Sequence, residues 1–211
     1  MKSLFDEDPE LFDQYDYIMV CDDDIIFPER GISIACSLAQ RYDFWISQPS
    51  FAADSTISHG ITRNHHQGIR ITNFVEMTCP IFRRDKLIEF LQVYDGSLVG
   101  WGIDWWYCNL FQAQRFHKFA IFDQISVTNP PAHRKRGGIR EIDRLQPAEQ
   151  RKAAWQALAE RLQLRQYPHR TLDVITPEYP QSGRFFRRLL HLMHLLAYRI
   201  QRREDALQIH R

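Results

Sequence analysis

The chain has 211 residues and a mass of 25.2 kDa, and its 44% hydrophobic and 25% charged residues are ordinary values for a globular protein. This composition excludes a collagen-like, low-complexity or wholly disordered chain. The formal net charge of +1 hides an asymmetry, because residues 1–133 hold 10 basic and 18 acidic side chains whereas residues 134–211 hold 17 and 8.

The first predicted element is a strand at residues 16–24, where a continuous apolar run ends in three consecutive aspartates. An apolar run without alternation is typical of a strand buried on both faces, so the sheet is predicted to be parallel or mixed. A helix follows at residues 28–42, with a proline in its first turn and apolar residues at helical spacing. A second short strand at residues 44–50 is predicted to stop at Pro49.

The middle of the chain predicts a β-hairpin, in which residues 61–64 pair with residues 69–72 across a four-residue loop. The patterns that follow predict, in order, a strand at 73–82, a helix at 83–94, a helix at 105–116 and a strand at 118–127. Strands and helices that alternate in this way indicate an α/β fold.

The composition changes after His133, at the start of a basic run. A helix opened by Pro147 is predicted next, then a linker marked by prolines between residues 168 and 180, and then a last helix with an apolar stripe flanked by arginines. That last helix is expected to contact an anionic membrane surface, a partner protein or the domain itself. We therefore predict one domain at residues 1–137 and a basic helical extension at residues 138–211.

Four scattered cysteines without a C-x-x-C pair predict reduced, buried thiols: Cys21, Cys36, Cys79 and Cys108. The N-terminal residues lack the apolar core of a signal peptide, and no stretch approaches the roughly 20 apolar residues that a membrane helix needs. We therefore expect a cytoplasmic protein, with the basic C-terminal helix as the part that would touch a membrane surface.

The three aspartates that end the first strand are the strongest chemical signal in the sequence. Side chains of an extended segment alternate, so Asp22 and Asp24 are predicted to face one cleft while Asp23 points away. Two carboxylates about 4 Å apart repel by roughly 4 kcal/mol at an effective dielectric constant of about 20, and an oxygen-liganded Mg²⁺ or Mn²⁺ ion relieves that repulsion. The alternative is a solvated acidic turn.

Asp104 follows the segment Gly100–Trp101–Gly102, which is predicted to turn tightly enough to place this carboxylate beside a cleft whose other wall is the acidic strand end. A carboxylate in such a place is a candidate proton acceptor. The alternative is a helix N-cap, because a helix is predicted to start there.

Three further groups of residues each allow two interpretations. Arg134 and Lys135 lie on a glycine-containing basic loop that would close over phosphates or else form a solvated linker. One of the tryptophans between residues 101 and 106 is expected to offer a flat face to a bound molecule, and the others to lie in packing. The histidines of the middle segment lack zinc-site spacing and are predicted to be exposed loop residues: His59, His65 and His66.

The run YDYIMVCDDD, followed by WISQPS, FVEMTCPIF and GWGIDWWY, resembles in order and spacing the GT-A nucleotide-sugar glycosyltransferases. More narrowly, it is similar to the glycosyltransferase-like family whose plant members are labelled lysine-ketoglutarate reductase trans-splicing-related. The resemblance covers about residues 11–135. It implies a GT-A-like mixed sheet with flanking helices. It also implies metal-dependent transfer of a sugar, with inversion, from a nucleotide-sugar donor to a hydroxyl of a carbohydrate acceptor.

The same resemblance implies roles for individual residues. Asp22 and Asp24 match the D-x-D pair that contacts the donor ribose and holds Mn²⁺ or Mg²⁺, and His133 lies where such enzymes place a late histidine on the metal. Asp104 matches the acid that acts as acceptor base, whereas Glu76 matches a V-E-M segment without a known role. The residues assigned to the nucleotide are Asp22, Asp23, Arg134 and Lys135.

The chain departs from the family at its beginning. GT-A domains place a first strand and a nucleotide-binding turn before the D-x-D strand, whereas only 21 residues precede Asp22 here. We therefore expect a GT-A-like domain that is truncated at the N-terminus and lacks its donor-binding half.

Two other classes of function stay open. A non-catalytic remnant or binding module is favoured by the missing half. A metal-dependent phosphoryl-group enzyme would use the same acidic cluster, but the sequence contains neither a phosphate-binding glycine loop nor a second acidic cluster. No nucleic-acid partner is expected.

Overall fold

The computed structural model describes residues 1–130 and 141–176. One mixed sheet contains six strands: β1 (Tyr17–Met19), β2 (Ile46–Phe51), β3 (Ile69–Thr72), β4 (Ile81–Arg83), β5 (Phe119–Val127) and β6 (Thr171–Ile175). Their order in the sheet is β1-β4-β2-β5-β3-β6. Strands β2 and β5 pair in parallel, and the other four neighbouring pairs are antiparallel.

Helices flank this sheet, and the fold is α/β as predicted. The helices are α1 (Lys2–Glu7), α2 (Glu10–Asp13), α3 (Gly31–Arg41), α4 (Arg84–Val93), α5 (Ile103–Leu110), α6 (Ala113–Phe116), α7 (Glu141–Leu145) and α8 (Ala148–Leu162). A 3₁₀ turn covers Gly60–Thr62. The helices predicted at 28–42, at 83–94 and after Pro147 are confirmed as α3, α4 and α8. The helix predicted at 105–116 is two short helices, because Gln112 between them has a positive φ of 47°.

The core consists of two apolar clusters, and alternate residues of β5 belong to different ones. Phe119 and Ile121 join a cluster that includes buried residues of α4, α5 and α8. Ala120 and Phe122 join a second cluster that contains Ala35 of α3. Because successive side chains of a strand point to opposite faces, the sheet is covered by apolar packing on both faces.

Two strand predictions differ from the structure in how the strands pair in the sheet. Strand β1 is an edge strand that pairs with β4, and its three residues are half-buried rather than buried on both faces. The predicted hairpin does not form: residues 61 and 62 lie in the 3₁₀ turn, Arg63 makes an isolated bridge to Phe51, and β3 pairs with β5 and β6.

Two strand boundaries also differ from their predictions. Pro49 lies inside β2, at the point where the β2–β5 register shifts, and a residue without a backbone N–H is tolerated at such an irregularity. Only the end of the strand predicted at residues 73–82 is regular, because β4 begins at Ile81. The preceding residues form a loop, and that loop is part of the cavity described below.

The described part of the predicted extension, residues 141–176, shares this sheet and core. Trp155 and Leu158 of α8 are buried in the first cluster. The prediction of a linker around Pro168 is wrong because β6 follows it and pairs with β3. The last predicted helix lies outside the described residues. Within the described ranges, no helix has the length and apolarity needed to cross a membrane.

The four cysteines are all free thiols. Cys79 and Cys108 are buried and Cys36 is half-buried, but Cys21 is exposed, so the prediction of burial is wrong for this one residue. The reason is the edge position of β1, beyond which Cys21 lies.

Candidate functional site

A cavity of about 300 Å³ lies where six segments of the chain meet. Four of them are the residues after β1, the loop between β2 and the 3₁₀ turn, the loop before β4, and the turn that leads into α5. The other two contribute Ile142 of α7 and Gln166, which follows α8. The titratable groups in its lining are Asp22, His59, Glu76 and Asp104. The structure therefore brings the predicted base Asp104 and one of the predicted metal ligands, Asp22, into a single cavity.

Asp22 reaches the cavity because the pairing of β1 with the chain before β4 continues past the regular strands. Val20 N–H donates to the carbonyl of Pro80 at 2.9 Å, and Asp22 N–H donates to the carbonyl of Thr78 at 3.0 Å. This irregular ladder places Asp22 beside the loop that carries Glu76. Three segments distant in sequence thus supply carboxylates to one place.

The chain turns directly after Asp22, and Asp23 and Asp24 lie in that turn. The alternation of an extended strand therefore does not reach Asp24, and the sequence argument that Asp22 and Asp24 share a face by strand periodicity is wrong. Asp22 is the member of the three that lines the cavity. The metal-ligand roles of Asp22 and Asp24 and the nucleotide role of Asp23 stay predictions.

The predicted tight turn before α5 is confirmed at Gly102. This residue is the N-cap of α5 and has a φ of 85°, a conformation that L side chains rarely adopt. A Cβ atom at this position would lie 2.3 Å from the Trp155 ring, so α8 packs directly on the glycine backbone. The close approach fixes the start of α5 and, with it, the position of Asp104.

Asp104 lies in the first turn of α5 and is 7% exposed. Its Oδ1 accepts a hydrogen bond from the backbone N–H of Trp105 at 2.8 Å, and its Oδ2 lies 3.5 Å from His59 Nε2. The N-cap position belongs to Gly102, so Asp104 is not the helix cap, although it satisfies one N–H of the first turn. Its second oxygen, Oδ2, faces His59 of the cavity lining.

Glu76 is the second buried carboxylate of the cavity and is 5% exposed. Thr78 Oγ1 donates to Glu76 Oε1 at 2.8 Å, and Thr62 Oγ1 lies 3.2 Å from Oε2. Burial raises the pKa of Glu76, and the opposing effect of the nearby His59 charge is smaller. Glu76 therefore binds a proton more readily than an exposed glutamate does.

His59 is the cavity residue that the sequence predictions missed. The prediction of an exposed loop histidine is wrong for His59 and His65, which are both partly buried, and holds for His66. The motifs of the sequence contain no signal for His59, because its partner Asp104 lies 45 positions later in the chain. Only the folded arrangement of the two loops brings these residues together.

The tryptophans divide as expected between surface and packing. Trp101 is 40% exposed and lines the cavity, so it is the most accessible of the three rings. Trp105 and Trp106 are buried. With its amide oxygen facing the indoles, Gln166 accepts hydrogen bonds from Trp105 Nε1 and Trp155 Nε1, at 3.2 Å each. This contact joins α5 and α8 at the cavity wall.

The carboxylates of the cavity are oxygen donors of the kind that Mn²⁺ and Mg²⁺ prefer. Among residues 1–130 and 141–176, however, no group of three His, Cys, Asp or Glu side chains is placed to hold a metal ion. The predicted ligand His133 and the predicted phosphate-binding residues Arg134 and Lys135 lie outside these ranges. The described residues therefore do not form a complete metal site by themselves.

No protein-family model, curated protein or solved structure matches this chain. The functional argument therefore depends on the geometry of the cavity and on the chemistry of its residues.

Replacing Gly102 by alanine is expected to destabilise the protein by about 2–4 kcal/mol. A side chain at positive φ costs about 1 kcal/mol, and the overlap with Trp155 adds about 1–3 kcal/mol. Gly96→Ala is the matched control, because Gly96 has a φ of 76° but nothing lies within 4 Å of a Cβ atom there. Urea denaturation of both variants measures the difference. Equal free energies of unfolding would contradict the proposed packing of α8 on the turn.

Proposed function

We propose that this protein transfers a sugar from a nucleotide-activated donor to a hydroxyl group of a carbohydrate acceptor, with inversion at the sugar C1. The observation that carries this proposal is the convergence of Asp22, Glu76 and Asp104 in one cavity, beside an exposed tryptophan ring. Carboxylates of this kind suit both the activation of a hydroxyl group and the binding of a cation that holds a diphosphate.

In this proposal Asp104 is the acceptor base. The acceptor hydroxyl gives its proton to Asp104 as its oxygen forms a bond to C1, and the bond between C1 and the diphosphate oxygen breaks with its electron pair going to the diphosphate. Trp101 offers a flat apolar face to the acceptor sugar. Asp104 is 7% exposed and lines the cavity, so a hydroxyl group bound in the cavity is within its reach.

The resemblance to GT-A enzymes makes the proposed reaction metal-dependent. Bound Mn²⁺ or Mg²⁺ would neutralise the negative charge that develops on the leaving diphosphate. Asp22, Asp24 and His133 are the proposed ligands, and Asp23, Arg134 and Lys135 the proposed contacts to the nucleotide.

A binding module that lacks turnover is the second candidate function. The observation in its favour is that both buried carboxylates already have partners: Glu76 is contacted by Thr62 and Thr78, and Asp104 by Trp105 N–H and His59. Satisfied buried carboxylates of this kind also occur in purely structural sites. Such a module would bind the nucleotide sugar without consuming it.

The proposal also includes a subcellular location. We propose a cytoplasmic location, where nucleotide sugars would be the donors, with peripheral contact to a membrane or a partner protein through the basic C-terminal segment. That segment lies outside the described residues, so the proposal rests on its sequence pattern alone.

The test of the function is nucleotide release from a panel of UDP- and GDP-activated sugars, measured with Mn²⁺ or Mg²⁺ present and with a mixed oligosaccharide acceptor. Release of nucleoside diphosphate with formation of a longer saccharide supports the transferase. Saturable binding of a nucleotide sugar that is recovered unchanged supports the binding module instead.

Replacing Asp24 by alanine is expected to weaken the binding of Mn²⁺ in the presence of UDP by about 10- to 100-fold or more, the range seen when even an outer partner of a metal site is lost. Titration calorimetry on the wild type and the variant measures this. Asp54→Ala, a change at an exposed aspartate outside the cavity, is the control and should bind as the wild type does. Equal Mn²⁺ affinity in wild type and Asp24→Ala would remove Asp24 from the metal site.

A further inference from the structure

His59 and Glu76 are the titratable cavity residues to which the proposed reaction gives no role, and His59 is the one in contact with the proposed base. Its Nε2 lies 3.5 Å from Asp104 Oδ2, while Asp104 Oδ1 accepts the Trp105 N–H at 2.8 Å. Each oxygen of the carboxylate therefore has one contact, and the two contacts come from different segments of the chain. This arrangement fixes the orientation of the Asp104 side chain in the cavity.

His59 is itself held in place by its surroundings. Its ring lies 4.6 Å from the ring of Phe74 and 4.9 Å from that of His169, centroid to centroid. Its backbone carbonyl accepts the N–H of Thr62 at 3.0 Å. A ring packed between other rings, on a backbone held by the next turn, has few alternative positions. The His59 side chain is thus held by packing, and its contact with Asp104 is part of the packed structure.

The titratable groups that face His59 come from three segments. Asp104 lies on α5, Glu76 lies on the loop before β4, and His169 lies just before β6. Burial lowers the pKa of His59, but the hydrogen bond and charge of Asp104, together with the charge of Glu76, outweigh it and raise the pKa overall. Burial and the nearby His59 lower the pKa of His169 to about 4, so His169 is neutral at neutral pH. His59 therefore binds a proton more readily than its burial alone would allow, beside two buried carboxylates.

We propose that His59 is a positioning residue for the sugar-transfer reaction, which directs the Asp104 carboxylate into the cavity. This inference rests on the proposed function. His59 takes no part in the proton transfer: the acceptor proton goes to Asp104, and the diphosphate leaves with the electron pair of the broken C1–O bond. The role of His59 is to hold the Asp104 carboxylate where the acceptor hydroxyl can reach it.

The first experiment measures the pair without turnover. In ¹⁵N-histidine-labelled protein, NMR titration of the His59 ring is compared between wild type and Asp104→Asn. The His59 midpoint is expected to fall by about one pH unit in the variant, because loss of the charged partner leaves burial as the main influence. The exposed His66 is the internal control and should titrate alike in both proteins. An unchanged His59 midpoint would overturn the inference.

The second experiment measures the steady-state kinetics of nucleotide release. In His59→Asn the Asp104 side chain loses the contact that directs it into the cavity, so kcat is expected to fall about tenfold with little change in the KM for the donor. His66→Asn, a change at an exposed position that tolerates its left-handed backbone, is the matched control and should keep the wild-type kcat and KM.

The outcomes separate the inference from the proposed function. Wild-type protein that releases no nucleotide at any pH overturns the transferase and, with it, the role of His59. A His59→Asn enzyme with the wild-type kcat overturns the inference alone. If His59→Asn has a lowered Tm, His59→Gln repeats the comparison with a longer neutral side chain. A fall in kcat per folded molecule, with the folded fraction counted by donor binding, supports positioning, because a merely structural role lowers the amount of folded enzyme and leaves kcat per folded molecule unchanged.

Discussion

Replacing Asp104 by asparagine is expected to lower sugar transfer by about 10²- to 10⁴-fold while leaving metal-dependent nucleotide binding nearly unchanged. The reason is that an amide cannot accept the proton of the acceptor hydroxyl, although it has almost the shape of the carboxylate. Its oxygen can still accept the Trp105 N–H that Asp104 Oδ1 accepts at 2.8 Å, so the start of α5 should persist. Steady-state kinetics together with calorimetric titration of UDP separate the two effects.

The control for this variant is Asp54→Asn, because Asp54 is exposed and lies outside the cavity lining. It should keep wild-type kinetics. A contrary result for Asp104→Asn would be a Tm lower by several degrees with transfer retained in the folded protein. Loss of a helix-terminal hydrogen bond costs about 1 kcal/mol, so that outcome is measurable and would make Asp104 a structural residue only.

The sequence predicted the faces of the strands better than their neighbours, and β1 shows why. In β1, Tyr17 and Met19 pack against one apolar cluster and Ile18 against the other, so the continuous apolar run correctly indicated two apolar faces. Apolar periodicity reports what lies above and below a strand, but not which strand lies beside it in the sheet. The edge position of β1 was therefore not predictable from the run.

Long-range pairing limited the prediction of β6 in the same way. The segment Thr171–Ile175 follows Pro168 and pairs with β3, about a hundred positions earlier in the chain. A five-residue segment near prolines has a weak local signal, and only pairing with β3 makes it a strand. In contrast, α3, α4 and α8 were predictable because a helix forms its hydrogen bonds within its own segment.

The residues of the candidate site also differ in whether a local sequence pattern predicted them. Asp22 and Asp104 were found because each ends or follows a local pattern, an apolar run in one case and a glycine turn in the other, and the structure places both in one cavity. His59 lies in a loop without such a pattern, and its contact with Asp104 is formed only when the two loops meet. The partners of Glu76 likewise come from the fold, since Thr62 lies in the 3₁₀ turn.

The loop that carries His59 depends on a buried ion pair on its far side. Arg70 of β3 and Asp123 of β5 are in contact at 2.9 Å with both side chains fully buried. The same guanidinium donates to the carbonyls of Ile61 at 2.7 Å and Arg63 at 2.8 Å, which follow His59 in the chain. Asp123 Oδ2 also accepts the backbone N–H of Gln67 at 3.0 Å. The pair therefore ties residues 61–67 to the sheet.

Replacing Asp123 by asparagine is expected to destabilise the protein by about 3–5 kcal/mol, because it leaves the buried Arg70 charge without its counter-charge. The matched control is Asp43→Asn, which removes a carboxylate paired with Arg83 at 2.6 Å and Lys118 at 2.7 Å but 57% exposed. Solvent screens that pair, so the control should lose no more than about 1 kcal/mol. Urea denaturation measures both variants. Amide exchange should show lost protection at Gln67 in Asp123→Asn alone, and similar losses of stability in the two variants would contradict an anchoring role for the buried pair.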